Sequence, residues 1–365
     1  MSRPLIAQVN LSALRANLAK ARERAPGSQL LAVVKANAYG HGLRRVLPAL
    51  SDADGLALIE LDAAVALRER HYARRILLLE GFFEASELPE IAARRIGVVV
   101  HQREQVKMLE SATALSRPIE VFVKVNTGMN RLGFRPAEVH AIVDRLSNAP
   151  SVAVLRMMTH FARADEEDGL REQLDAFEDA CRGLPYPRSV ANSAGTLRYR
   201  EVGGEYVRPG IMLYGSSPFP FDTAEMLGLR PVMTLKSALV GIQEVKPNQS
   251  VGYGGTYTAA RTHRIGVVAC GYADGYPRHA PNGTPLLVCG KKARTAGRVS
   301  MDLMTVDLTE VPEAAIGSPV VLWGEGLPID DVAAAASTVG YQLLCSVTQR
   351  VPFVTTEIGT VDIEL

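Results

Sequence analysis

Short apolar runs alternate with amphipathic stretches through the first 215 residues, and eight of the runs have the length of strands. They are LLAVVK (30–35), GLALI (55–59), RILLLE (75–80), GVVV (97–100), EVFVKV (120–125), VLRMMTH (154–160), RSVANS (188–193) and YVRPGIMLYG (206–215). Between most of them apolar residues recur at helical spacing, as in ELDAAVALRERH, REQVKMLESATA, PAEVHAIVDRLS and REQLDAFEDACR, each apolar on one face. Eight strand and helix alternations predict an α/β fold of the (β/α)8 TIM-like barrel type. The last connection, GTLRYREVGGE, is too short for a full helix.

After Tyr214 the pattern changes class. GSSPFPFDTAEM is rich in Ser and Pro and reads as a linker. Beyond it, LKSALVGIQEV, THRIGVVACGY, TPLLVCG, MDLMTVDL, SPVVLWG and PFVTTEIGTVDIEL are short strands punctuated by Gly, Pro and Asn, with one helix at DVAAAAS (331–337). The expected division is a barrel over 1–220 followed by a mainly β C-terminal domain over 221–365.

Composition narrows the function classes. Forty Lys plus Arg against 39 Asp plus Glu, with no basic tract, give no electrostatic reason to expect nucleic acid as a partner. No apolar stretch approaches the roughly 18 residues that suggest a spanning helix. Asn10, Arg15 and Asn17 stand where a secretory signal needs its apolar core. Cys181, Cys270, Cys289 and Cys345 form no CxxC pair, so neither a zinc knuckle nor a metal site is expected, and reduced thiols in a cytoplasmic protein are.

In such barrels the reactive groups lie at the C-terminal ends of the strands. Here the first strand ends in Lys35, the fifth in Lys124 with Asn126 and Arg131 just beyond, the sixth in His160, and the seventh in Asn192 and Ser193; Arg208 and Pro209 belong to the eighth. A single strand-end cation is more often solvated or salt-bridged, but six coincidences form a set. Lys35 follows five apolar residues and precedes a small turn. Partial desolvation there lowers an ammonium pKa and frees an amine for an imine with a carbonyl. The residues alone leave that carbonyl open among a sugar, a keto acid and pyridoxal phosphate.

AVVKANAYGHG (32–42), VKVNTGMNRLGF (123–134), MTHFARAD (158–165), ANSAG (191–195), VRPGIMLYG (207–215), VGYGGTY (251–257), GYADGYPR (271–278) and GRVSMD (297–302) follow one another along nearly the whole chain. In these motifs and their order the sequence resembles the alanine racemases, pyridoxal-phosphate enzymes with a barrel followed by a β domain. The resemblance implies interconversion of L-alanine and D-alanine by two bases on opposite faces of Cα. Lys35 would form the internal aldimine with pyridoxal 5'-phosphate and act as one base; Tyr253 would be the other. A tyrosine base near neutral pH needs a stabilised phenolate, since its free pKa is about 10. His160 and Arg208 match an adjoining hydrogen-bond network, with Arg208 against the pyridine nitrogen. Tyr39, Ser193, Gly210 and Ile211 match positions holding the phosphate, and Arg131 with the Met301 backbone the substrate carboxylate.

The same resemblance implies a homodimer with shared active sites, each taking its lysine from one chain and its tyrosine from the other. Departures from the family pattern fall at Asn126, where many members carry Asp, at Ser300, where some carry Cys, and at Gln349, where some have a phosphate-reaching Tyr. Lys124 matches a lysine carbamylated in some members. The rival readings are a racemase for serine, lysine or arginine, an amino-acid decarboxylase on a related barrel, and a non-catalytic pyridoxal-phosphate carrier. A carrier of that kind lacks the β domain.

Overall fold

A computed structural model of the protein describes residues 3–166, 169–199, 204–357 and 360–364. Strand β1 (Ile6–Asn10) leads into helix α1 (Leu11–Arg24), whose N-terminus is capped by Asn10: its Oδ1 accepts from Ala13 N at 3.0 Å. The barrel strands follow as β2 (Gln29–Val33), β3 (Gly55–Leu58), β4 (Arg75–Leu78), β5 (Gly97–Val100), β6 (Ile119–Lys124), β7 (Val152–Met158), β8 (Arg188–Ser189) and β9 (Tyr206–Val207). They form one eight-stranded sheet whose neighbours run parallel. GVVV and GLAL are buried at every residue, as expected of parallel strands covered on both sides.

All eight expected strands are present, but β8 and β9 are only two residues long. Asn192 leaves the strand to cap a short helix, Ser193–Arg198, and Pro209 cannot continue a ladder. The barrel still closes between them, where Arg208 N donates to Ala191 O at 2.9 Å. The outer helices Leu61–Glu69, Arg103–Ser111, Val139–Ser147 and Arg171–Ala180 fall on the four segments with helical spacing. Residues 200–203 of the last connection lie outside the described residues.

The second sheet contains β10 (Met233–Val245), β13 (His263–Val268), β14 (Pro285–Val288), β15 (Lys291–Thr295), β16 (Met304–Asp307), β17 (Pro319–Trp323), β18 (Phe353–Glu357) and β19 (Thr360–Glu364), while β11 (Ser250–Val251) and β12 (Tyr257–Thr258) form a separate pair. The ninth strand of the sheet is β1, antiparallel to β10 through Ala7 and Leu235 and parallel to β18 through Ala7 and Phe353. Residues 6–10, which the sequence assigned to the barrel segment, therefore lie in the other sheet. Strand β15 also went unread, because KKART buries only Ala293 and Thr295. The expected helix is Ile329–Ala335, followed by a second, Gly340–Ser346. The linker is pinned to the first of these: Ser216 Oγ donates to Asp330 Oδ1 at 2.5 Å and Ser217 N to Oδ2 at 2.9 Å. Among the described residues no helix is long and apolar enough to cross a membrane.

One buried charge fastens both ends of the chain to the second domain. The Asp274 carboxylate is fully buried and accepts two bonds from Arg3, at 2.6 and 2.8 Å, while Arg350 Nε stands 3.0 Å away. Gly271 N donates to the same carboxylate at 2.8 Å. The arginines are 30% and 42% exposed and Arg350 also pairs with Asp302 at 2.6 Å, so removing the carboxylate charge costs the charge-assisted hydrogen bonds rather than a full buried pair, about 2 kcal/mol. Asp274→Asn is therefore expected to lower the melting temperature by several degrees relative to wild type in calorimetry at neutral pH. An unchanged transition would show that the carboxylate charge carries no stability.

Candidate active site

The chain leaves β2 through Val34 and Lys35 and then makes a turn of the wrong hand for L-residues. Ala36, Asn37, Ala38 and Tyr39 all have φ between 51 and 56°. Such a conformation costs about 1–2 kcal/mol per residue and needs support from outside. Asn37 Oδ1 accepts from Leu43 N at 2.8 Å, and His41 Nδ1 lies 3.0 Å from both Ala38 O and Tyr39 O. The Tyr39 and His41 rings each stack on Tyr214 at 4.7 Å between centroids. Tyr214 in turn donates its hydroxyl to Val33 O at 3.0 Å, at the end of β2. At Gly40, with φ 79°, a Cβ would meet Leu344 O at 2.2 Å, so only glycine lets the turn close against the second domain.

Facing Tyr39 is a polar cradle. Ser193 Oγ accepts from Gly210 N at 2.8 Å and from Met212 N at 3.4 Å, and Ile211 opens a short 3-10 turn. A Cβ on Gly210 would lie 2.5 Å from the Tyr39 hydroxyl, so the close approach of backbone and phenol depends on this glycine. Burial raises the Tyr39 pKa, which keeps its hydroxyl a donor at neutral pH.

Five cationic or basic groups stand around the mouth of the barrel. Arg208 is buried; its NH1 donates to Ser189 Oγ at 2.6 Å and NH2 to Thr159 O at 2.7 Å, while Nε has no partner among the described residues. Lys124 is buried, and its pKa is pushed down to about 8 by burial, with the Arg208 and Arg131 charges adding to the effect. Burial, then Arg131, lowers the half-buried Lys35 ammonium as well. His160 is held well below the ordinary imidazole range by burial and by the nearby Arg208, Lys124 and Arg131, so it is neutral. Arg131 rides on a loop closed by Asn126, whose Oδ1 accepts from Gly128 N at 3.2 Å and Asn130 N at 3.0 Å. Asparagine thus supplies the acceptor that the turn needs without a carboxylate charge.

These groups converge on one cavity of about 820 Å³ at the C-terminal end of the barrel strands. Lys35, Tyr39, Arg131 and His160 line it, as do Ser193, Arg208, Gly210 and Ile211. Tyr253 and Met301 do not: they lie in the second domain, 71% and 53% exposed. The cavity also contains Tyr341, which the sequence reading missed. That reading attached the tyrosine question to Gln349, but Gln349 lines a different groove, with Arg44 and Phe353. Tyr341 sits on the helix Gly340–Ser346 with its ring 6.0 Å from that of Tyr39. No strand-end rule could find it, because it is brought to the barrel mouth by the other domain.

The exposed Tyr253 has a defined mount. It lies between β11 and β12 in a turn where Gly252, Gly254 and Gly255 have φ of 73, 73 and 57°. Asn282 braces the turn, donating from Nδ2 to Thr256 O at 2.7 Å and accepting at Oδ1 from Gly297 N at 2.6 Å. Gly297 begins the segment that carries Met301, so one amide sets the spacing of both loops. Tyr257 anchors the return strand, its hydroxyl 2.6 Å from His263 Nδ1 and 3.2 Å from Asp307 Oδ2.

Comparison with known proteins agrees with this arrangement. Residues 9–218 match the alanine racemase N-terminal domain and residues 232–355 the alanine racemase C-terminal domain. An alanine racemase of Nitrosospira multiformis is 52% identical over 358 residues, covering 97% of this chain and all of that protein. A catabolic alanine racemase of Klebsiella aerogenes is 51% identical over 356 residues, covering 97% of this chain and all of its own length. The crystal structure of the biosynthetic alanine racemase of Pseudomonas aeruginosa superposes with a TM-score of 0.94 at 49% identity, over 97% of this chain and 100% of that one. Both domains and their order are thus those of one family, and this chain is a member of the alanine racemases.

Proposed function

We propose that the protein interconverts L-alanine and D-alanine, with pyridoxal 5'-phosphate as cofactor, in a cytoplasmic homodimer with shared active sites. The observation that carries this reading is the cavity itself: a half-buried amine, a cradle of backbone N–H groups and hydroxyls, and a buried guanidinium with a spare Nε line one wall. That set fits the cofactor group by group. The Ser193, Gly210, Ile211 and Tyr39 cradle suits a phosphate, the Arg208 Nε suits the ring nitrogen, and the Lys35 amine suits the aldehyde. Bound there, the cofactor would take up the amino group of the substrate and accept the electron pair left at Cα.

The chain's own residues do the rest. Racemisation needs a base on one face of Cα and an acid on the other, exchanging roles with the direction of reaction. Lys35, its ammonium pKa lowered by burial and Arg131, is suited to hold or release a proton on its face. Tyr253 cannot serve the cavity of its own chain without leaving its mount. Its exposed mount, with the Met301 segment braced by the same Asn282, supports a role in the cavity of a second copy. Arg131 binds the substrate carboxylate by charge-assisted hydrogen bonds, and the Met301 backbone completes that site from the other subunit. Arg208 stays charged at neutral pH and keeps its proton, so it donates a hydrogen bond at the ring nitrogen without protonating it. With the cofactor bound, Arg208 would thereby limit electron withdrawal into the ring and disfavour transamination. Neutral His160 beside Arg208 fixes the arginine's surroundings without adding charge. Lys124, with a pKa of about 8, has an appreciable neutral fraction, the form that carbon dioxide can carbamylate next to Arg131.

Reduction of the loaded protein with borohydride, followed by peptide mapping, should place the pyridoxyl group on Lys35; recovery on Lys124 or Lys236 alone would sink the assignment. Arg208→Glu should raise the share of abortive transamination relative to racemisation, and an unchanged partition ratio in a folded, cofactor-loaded variant would remove that role. Lys35→Ala and Tyr253→Phe homodimers should each lose most racemase activity. Their co-refolded hybrid has one site with both lesions and one intact, so activity should return to about half of wild type per hybrid dimer if the sites act independently. Hybrids verified by differential tagging but still inactive would refute the shared-site arrangement.

A further inference from the structure

The opposite end of the barrel, where the strands begin, holds a second cavity of about 540 Å³. Five arginines line it, Arg68, Arg74, Arg75, Arg94 and Arg95, against one carboxylate, Glu120. Arg75 opens β4 and Glu120 lies at the start of β6, whereas Lys35 follows the far end of β2. A ligand here is separated from the mouth by the length of the barrel strands.

The charges are unevenly compensated. Glu120 is shared by Arg75 Nε at 3.2 Å and Arg156 NH1 at 2.5 Å. Arg94 has Glu90 at 2.8 Å and Glu69 at 3.3 Å. Arg68, Arg74 and Arg95 have no carboxylate within ion-pair distance among the described residues.

Arg68 has a structural task. Its guanidinium donates to four backbone carbonyls: Arg94 O and Arg95 O, both at 2.8 Å, Tyr72 O at 2.5 Å and Arg74 O at 2.6 Å. It thereby ties the backbone on both sides of the cavity, including Arg95, which is held at a φ of 53°. Arg74 and Arg95 have no such task. Both are exposed; among the described residues Arg74 makes one side-chain bond, to Ala53 O at 2.5 Å, and Arg95 makes none. Two guanidinium forks with most donors free thus stand on a frame that itself carries a positive charge. Like charges fixed together raise the energy of the empty site and lower it when an anion arrives. Burial first, and then the charge of Arg95, lowers the Arg68 pKa, the sign expected of such crowding.

We propose that this cavity binds a small phosphate-bearing anion, from pyrophosphate to a nucleotide in size, gripped by Arg74 and Arg95 on the frame that Arg68 sets. Two planar forks match the oxygens of a phosphate chain bidentately, and three uncompensated cations match its charge. The volume lies in the range usual for small-molecule sites. The site is independent of the racemase reading.

The test uses cofactor-loaded protein, so that the cradle at the mouth is already occupied, with inorganic pyrophosphate titrated at constant ionic strength. Calorimetry should give saturable binding of one pyrophosphate per chain, and the melting temperature should rise with its concentration. The double variant Arg74→Ala, Arg95→Ala should bind at least about tenfold more weakly. Citrate, of similar charge but without phosphorus, should bind more weakly. Absence of saturable binding up to about 10 mM, or undiminished binding by the variant, would overturn the site. Equal binding of citrate would overturn the preference for phosphate.

Discussion

A guanidinium taken out of water must find acceptors, and Arg208 finds them at the ends of the strands beside its own: Ser189 Oγ in β8 and Thr159 O just past β7. Strands β8 and β9 are two residues long and could not close a barrel by their ladder alone. The bonds from Arg208, side chain and backbone together, join the last strands to the ring. Pro209 and Gly210 follow at once, so the same closure carries Gly210 and Ile211 to Ser193 and forms the cradle. Closure of the fold and construction of the site are in this sense one event.

What the sequence made legible was whatever repeats or sits at a strand end. GVVV and GLAL are continuous buried runs, and the lysine, histidine and arginine that close such runs stand out against them. Eight of the ten expected site residues meet in the cavity; Lys35, Arg131, His160, Ser193 and Arg208 are marked by strand ends, whereas Tyr39, Gly210 and Ile211 are marked by the family resemblance alone. The rest depends on long-range placement. Tyr341 comes to Tyr39 from a helix of the second domain, with no local pattern to mark it. Strand β15, with two lysines and an arginine among five residues, has too few buried positions to register as a strand. The left-handed turn at 36–39 is equally silent in ANAY; it follows from stacking on Tyr214, some 175 residues away in sequence.

The two domains divide the labour by rigidity. The barrel mouth is built from buried groups whose protonation is set by burial and by one another. Tyr253 stands exposed, and its position depends on a bracket of polar bonds through Asn282, Tyr257, His263 and Asp307. Behind the bracket lies a small apolar cluster of Val251, Ile265 and Ala296, separate from the main core. A residue 71% exposed needs this kind of support, because little in its own chain encloses it.

Strand β1 gives the fold a temporal order. Its neighbours are β10 and β18, so its second partner, Phe353 opposite Ala7, is made only after the whole barrel and β10. At translation speeds of roughly 5–20 residues per second, that wait is on the order of 20–70 s. The whole barrel can emerge and close in the meantime, while the first strand stays unpaired beside it. Strand β1 therefore leaves the ribosome before the barrel but is covered after it, and a chain that stops short of β18 leaves it with an open edge, which other unpaired strands can join.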